Sequence, residues 1–154
     1  MRYDRKKAVE YARKWALDRN PKYYNYDNLG GDCTNFISQC LYAGIPEMNY
    51  RKYGWYYIDA NKKSPSWTGV IFLYEFLINN KYEGPKGIKV NKNEVEKGDI
   101  IQLSFIKNIF GHTLFITNVD SSDIQICTHT LDSKNRYLSS YVFEEARFIK
   151  ILDF

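Results

Sequence analysis

The order of apolar and polar residues divides this chain into a helical first half and a stranded second half. Over 4–19, Ala8, Tyr11, Ala12, Trp15 and Ala16 recur at helical spacing, while Arg5, Lys6, Glu10, Arg13, Lys14 and Asp18 fill the wet face. Asn20-Pro21 stops that helix. An aromatic loop over 22–29 leads into Gly30-Gly31-Asp32, and a second helix follows with Cys33, Phe36, Ile37, Cys40, Leu41 and Gly44 on one stripe. Asp32 is its expected N-cap, and Gly44-Ile45-Pro46 its expected stop. Residues 47–65 are irregular and aromatic, the pattern of a surface loop over the core or of a cleft wall. Ser66 caps a predicted helix over 67–79, buried through Trp67, Val70, Ile71, Tyr74, Leu77 and Ile78. After Gly84-Pro85-Lys86-Gly87 the period becomes two, predicting strands at 88–90, 98–103, 112–119, 124–130 and 147–152. Helices followed by an antiparallel meander make an α+β fold.

Composition narrows the class. With 154 residues, 44% hydrophobic and 17% aromatic, the chain can bury one good core, so 1–154 is expected to form a single domain. The net charge of +4 is modest and the basic residues form no stripe, which argues against nucleic acid. No apolar run reaches membrane-spanning length. Three cysteines at unrelated spacings give no disulfide framework. The protein is expected in the cytoplasm if the chain is complete, and outside the cell or in the wall if it is a domain of an exported chain.

Cys33 is the candidate nucleophile. At the first turn of a helix it meets unpaired N–H groups and the positive end of the dipole, which should lower its pKa and raise its reactivity. The competing reading is a small buried hydrophobe, the role assigned to Cys40. His112 and His129 are the only histidines. Folding about the turn 120–123 should make them cross-strand neighbours within a residue or two of register. A thiol, an imidazole and a third group orienting that imidazole form the acyl-transfer constellation, and a second imidazole can be the third group. Without Cys33 beside them, the pair would read as half-buried sheet residues.

The blocks Gly-Asp-Cys-Thr-Asn-Phe-Ile-Ser-Gln-Cys-Leu at 31–41, Lys-Gly-Asp-Ile-Ile-Gln-Leu at 97–103 and Gly-His-Thr-Leu-Phe-Ile-Thr at 111–117 resemble the bacterial "putative amidase" domain family. That family belongs to the papain-like cysteine hydrolases, beside the NlpC-type and CHAP cell-wall enzymes. Similarity extends to 4–12 and to Thr128-His129-Thr130. The resemblance implies a papain-like core, with the nucleophile helix laid on an antiparallel, barrel-like sheet. It implies Cys33 as nucleophile, His112 as general base and acid, and His129 as the polar third member, with Asn118 the fallback. It further implies a thioester intermediate, no cofactor, and a monomer acting on peptides or other amides, peptidoglycan peptides first. The Cys33 N–H would help to hold the oxyanion, with Tyr26 or Asn28 candidate helpers by position. Asp32 and Thr34 occupy the places where NlpC-type relatives bind a substrate's free amine. Asn35 stands where many of those relatives have glycine, a departure from their pattern.

Two other readings compete. Cys33, His112, His129 and Cys127 could bind a metal, although no zinc-type spacing is present. The chain could instead be an inactive cell-wall or peptide-binding module of the same fold. Acyl transfer would use the same dyad as hydrolysis.

Overall fold

The computed structural model describes residues 2–154. Helix α1 (Arg5–Trp15) starts behind Asp4, whose carboxylate accepts the Lys7 N–H at 3.0 Å. It is four residues shorter at its end than the hydrophobic pattern predicts. The Trp15 carbonyl accepts the Asp18 N–H in a tight turn and also faces a ring nitrogen of His129, which ends the helical ladder there. Helix α2 (Cys33–Gly44) is buried on all sides rather than along one stripe. Its polar residues can be enclosed because each finds a partner. Trp67 Nε1 donates to Asn35 Oδ1, Trp55 Nε1 to Ser38 Oγ, and the Tyr11 hydroxyl to Gln39 Oε1.

The irregular stretch contains a small hairpin, β1 (Tyr57–Asp59) and β2 (Lys62–Lys63), that the sequence pattern does not reveal. The third predicted helix is two. Gly69 is extended (φ −108°, ψ 127°) and separates α3 (Pro65–Thr68) from α4 (Val70–Asn79). The break rotates α4, so Leu73, Phe76 and Leu77 point inward, while Ile71 and Ile78, expected inside, are exposed.

Strands β3 (Lys86–Val90), β4 (Ile100–Ile106), β5 (Ile109–Val119), β6 (Ile124–Thr128), β7 (Ser133–Tyr137) and β8 (Glu145–Leu152) form one antiparallel sheet. Its order is β3-β8-β4-β5-β6-β7, so the C-terminal strand fills the gap between β3 and β4. β7 has no counterpart in the sequence reading. The expected barrel-like sheet is open, with β3 and β7 at separate edges. The α+β arrangement, with the N-terminal helices packed on an antiparallel sheet, is as the sequence predicts.

Alternation along the strands divides the core in two. Ile100, Phe115, Cys127, Ile149 and Ile151 face the helices and pack with Phe36, Ile37, Leu41, Trp55 and Trp67. Ile101, Leu103, Leu114, Ile116, Ile124 and Ile126 form a second cluster, completed by Val95 and Leu138.

Gly44 does not act as a left-handed cap. It is the last residue of α2, and a Cβ there would lie 2.5 Å from Tyr3 Cε1 and 2.6 Å from the Asp4 carbonyl oxygen. Glycine lets the start of α1 press against the end of α2, where the Asp4 N–H donates to the Gly44 carbonyl at 3.0 Å. Gly44→Ala should therefore lower stability. Overpacking of about 1–3 kcal/mol exceeds the ~1 kcal/mol that alanine gains in helix propensity. A lower urea midpoint at unchanged m-value is the expected result.

Candidate active site

The cysteine helix begins in a loop made by two consecutive glycines with positive φ, Gly30 (89°) and Gly31 (98°). That backbone turns the chain sharply and buries Asp32 completely. Asp32 precedes α2 but its side chain makes no capping bond. Instead Oδ1 accepts the Tyr26 N–H and the Asn35 amide, each at 2.9 Å. Oδ2 lies 2.5 Å from His129 Nδ1 and 3.5 Å from Arg19 Nε. The carboxylate joins the aromatic loop, the helix and the sheet.

His129 lies just beyond β6 and is 1% exposed, its ring stacked on Phe36 with centroids 4.0 Å apart. Its second nitrogen, Nε2, is 2.7 Å from the Trp15 carbonyl oxygen. Each ring nitrogen thus faces an oxygen, the Asp32 carboxyl on one side and the Trp15 carbonyl on the other. Cys33, Asp32 and His129 thus make a triad-like group of thiol, carboxylate and imidazole, in which the imidazole bridges Asp32 and α1.

Cys33 is 8% exposed. Its sulfur is 3.8 Å from Thr34 Oγ1 and receives the Thr113 backbone N–H, while Thr34 Oγ1 lies 3.0 Å from Thr113 Oγ1. Burial pushes the thiol pKa up, and the donors from Thr113 and Thr34 only partly offset it. This reverses the expectation of a thiol acidified by the helix end. The dipole term is worth about 0.3–1 kcal/mol near a surface, less than the desolvation of an enclosed thiolate can cost.

His112 precedes Thr113 on β5 and is 7% exposed. Burial, and to a lesser degree Arg136, lowers its pKa to about 4. The ring is therefore neutral at pH 7, with Nε2 3.4 Å from Thr128 Oγ1 and Phe105 and Tyr141 beside it. The Phe115–Cys127 pairing, extended by two residues, sets His129 opposite Thr113 rather than His112. The two imidazoles are consequently not paired: His129 sits against Asp32 and Phe36, and His112 beside Thr128, Phe105 and Tyr141. Among the described residues, no hydrogen bond joins Sγ to either ring or one ring to the other.

The remaining candidates are scattered. Thr34 is 1% exposed and occupied by Thr113, as Asp32 is by its own partners, so neither presents a free group to a substrate amine here. The Tyr26 hydroxyl donates to the Ala60 carbonyl at 3.2 Å, and Asn28 lies exposed in the turn before the glycines. Asn118 is exposed near the far end of β5, bonded to Gln125. At about 3.3 Å per residue it is some 20 Å along the strand from His112, too far to orient that ring. The suggested metal ligands do not converge: among the described residues, no three His, Cys, Asp or Glu side chains gather as a metal site would require. Nor, among these residues, is any helix long and apolar enough to cross a membrane. A groove of about 780 Å³ lies elsewhere, lined by Arg51, Tyr53, Phe72, Phe76 and Tyr82 among others, and includes neither Cys33 nor a histidine.

Sequence reasoning missed Thr113, Gln102 and Arg19. Gln102 Nε2 donates to the Val70 carbonyl at 2.8 Å and reaches Thr113 Oγ1 at 3.4 Å, and Arg19 holds Asp27 and Asp132 in front of Asp32. Thr113 was discoverable, since it is the helix-facing residue next to His112. No local signal marks Arg19.

The protein family described as "Putative amidase domain" matches residues 2–152. Two curated Bacillus subtilis (strain 168) proteins are similar to this chain. The uncharacterized protein YhbB is 36% identical over 143 residues, 89% of this chain and 44% of YhbB. The uncharacterized protein YjcM is 27% identical over 136 residues, 83% of this chain and 31% of YjcM. The chain thus spans less than half the length of these relatives. No solved structure matches it.

Two outcomes follow from the protonation states. The His112 ring is neutral in the fold down to about pH 4, whereas in the unfolded chain it gains its proton near pH 6.5. Unfolded chains bind more protons in that window, so the stability tied to His112 is complete above pH 6.5 and falls as pH drops toward 4. Urea unfolding of the wild type should lose roughly 1–2 kcal/mol more than His112→Gln between pH 7 and pH 5. In the second, iodoacetamide should alkylate Cys33 more slowly at pH 7–8 than it does a free thiol of pKa near 8.5, with the rate still climbing above pH 9. Mass spectrometry of the Cys33 peptide reads this directly.

Proposed function

The chain belongs to the family of the "Putative amidase domain", and from that premise we propose that it is a cysteine-dependent amide hydrolase. The observation that carries the reading is the Cys33 thiol at the start of α2, set against the Thr113 N–H one residue from a neutral imidazole. Cys33 is the nucleophile and His112 the base. With the thiol pKa raised and the imidazole pKa lowered, the resting pair is neutral rather than a thiolate–imidazolium pair. His112 therefore takes the thiol proton as sulfur attacks, rather than before.

Sulfur bonds to the amide carbon, and the oxyanion is met by the Cys33 N–H. Collapse breaks the C–N bond, with His112 returning its proton to the departing amine. Water, deprotonated by His112, then cleaves the thioester and restores the thiol. The reading requires the His112 ring to turn toward Sγ. Gly111, just before it at the irregularity between β4 and β5, has open space around it. His129 is a positioning residue, because both its ring nitrogens are already engaged, one by the Asp32 carboxyl and one by the Trp15 carbonyl. It fixes Asp32, and so the first turn of α2.

Peptidoglycan peptides are the leading substrate class, on the resemblance to the cell-wall hydrolases. Purified muropeptides incubated with the protein should yield a new amine and a new carboxylate, detected by mass spectrometry. Cys33→Ala and His112→Ala should each lower kcat/KM by at least about 10³. His129→Gln should lose activity in step with lost thermal stability. If His112→Ala keeps full rate while a folded His129→Gln is inactive, the base is His129. Retained binding without turnover, unchanged in Cys33→Ala, would instead favour a binding module.

A further inference from the structure

Arg147 is an anomaly on the helix-facing side of the sheet. It stands on β8 directly opposite Gln102 of β4, which in turn stands opposite Thr113 of β5. Its guanidinium is held between two rings, with Cζ 3.6 Å from the Tyr74 centroid and 4.0 Å from that of Phe110. Nε and Nη2 both donate to Gln102 Oε1, at 2.8 and 2.5 Å, and Nη1 takes no part in those bonds. Among the described residues, no carboxylate closes an ion pair with it. Burial pulls its pKa down more than the charges of Tyr74, Glu75 and Glu145 raise it. The aromatic rings and an amide oxygen orient the fork without neutralising it.

A second observation lies beside it. Ser104 is two residues beyond Gln102 on β4, hence on the same face, and its hydroxyl is buried with no hydrogen-bond partner among the described residues. A fully enclosed hydroxyl left unpaired is costly unless something else completes it. An oriented cation without an anion and a donor without an acceptor share one face of β4 and β8. This face continues to the nucleophile through Gln102, Thr113 and Thr34. Two inter-strand steps of about 4.8 Å separate Arg147 from Thr113, a span of two to three residues of an extended peptide.

We infer that Arg147 forms a subsite for a carboxylate of the substrate, two to three residues from the amide bond that Cys33 attacks. The inference rests on the reading of Cys33 as nucleophile, and it names the substrate class more closely: peptides with an anionic group at that spacing. The planar fork accepts a carboxylate bidentately, and an isosteric amide would leave the guanidinium unpaired.

The binding test does not depend on catalysis. In the Cys33→Ala protein, the Arg147 Nε–H resonance is followed by NMR during titration with N-acetylglycylglycine, its C-terminal amide, and N-acetylglycyl-aspartyl amide. The acid should bind at least tenfold more tightly than the amide and shift that resonance. The aspartyl peptide shows whether a side-chain carboxylate serves as well as a terminal one. Arg147→Gln should make acid and amide equal, and Arg147→Lys, which keeps the charge without the fork, should fall between them. Equal binding of acid and amide, or an unmoved Arg147 resonance, overturns the subsite even if Arg147→Gln fails to fold. In the wild type, N-iodoacetylglycylglycine should alkylate Cys33 faster than its amide. If instead Cys33 is inert and no amide is hydrolysed while the titration succeeds, the subsite stands and the hydrolase reading fails.

Discussion

The buried carboxylate of Asp32 is the constraint on which the rest of the structure depends. Four elements meet at its two oxygens: the Tyr26 backbone, the Asn35 side chain, the His129 imidazole, and, at longer range, the Arg19 guanidinium. A carboxylate taken wholly out of water is tolerable only when paired and hydrogen-bonded, and removing one partner of such a pair typically costs about 3–5 kcal/mol. Through His129 the same oxygens reach the Trp15 carbonyl, so the end of α1 is located by the group that locates the start of α2. Cys33, the candidate nucleophile, is the next residue in the chain and inherits that position.

Enclosure sets the chemistry as well as the geometry. The walls that bury Asp32 and His129 leave Cys33 only 8% exposed, and desolvation outweighs the donors that would favour a thiolate. His112 is shifted the other way for the same reason, since burial disfavours charge on an acid and on a base alike. Burial thus leaves both the thiol and the imidazole in their uncharged forms at pH 7. The two histidines, equivalent in composition, differ completely in office. One has both ring nitrogens engaged by Asp32 and the Trp15 carbonyl, and the other, kept neutral by burial, keeps a lone pair.

The sheet gives this arrangement its breadth. Because β8 enters between β3 and β4, residues far apart in the chain become a row across one face: Arg147, Gln102 and Thr113, with Thr34 of α2 above it. Nothing in that row is close in sequence to the cysteine block except Thr34. It is a polar line through a largely apolar face, hydrogen-bonded at its centre by Gln102 and, among the described residues, without an ion pair at its Arg147 end.

Although it missed the break at Gly69 and the cap at Ser64 rather than Ser66, local spacing determined the helix-then-strand order, the burial of the cysteine helix, and the candidacy of Cys33, His112 and His129. Such features follow from periodicity and from residue chemistry, both of which act over a few positions. The loop hairpin and β7 were not legible, because two- to five-residue strands with many polar side chains carry little periodic signal. The face on which each histidine points was not legible either, since it depends on one step of register between β5 and β6. The direction of the Cys33 pKa shift depends on how much water the surrounding elements exclude, and the capping of α2 depends on Asp32 finding a better partner in His129, 97 residues away. Those outcomes are sums over distant neighbours, so only the tertiary structure decided them.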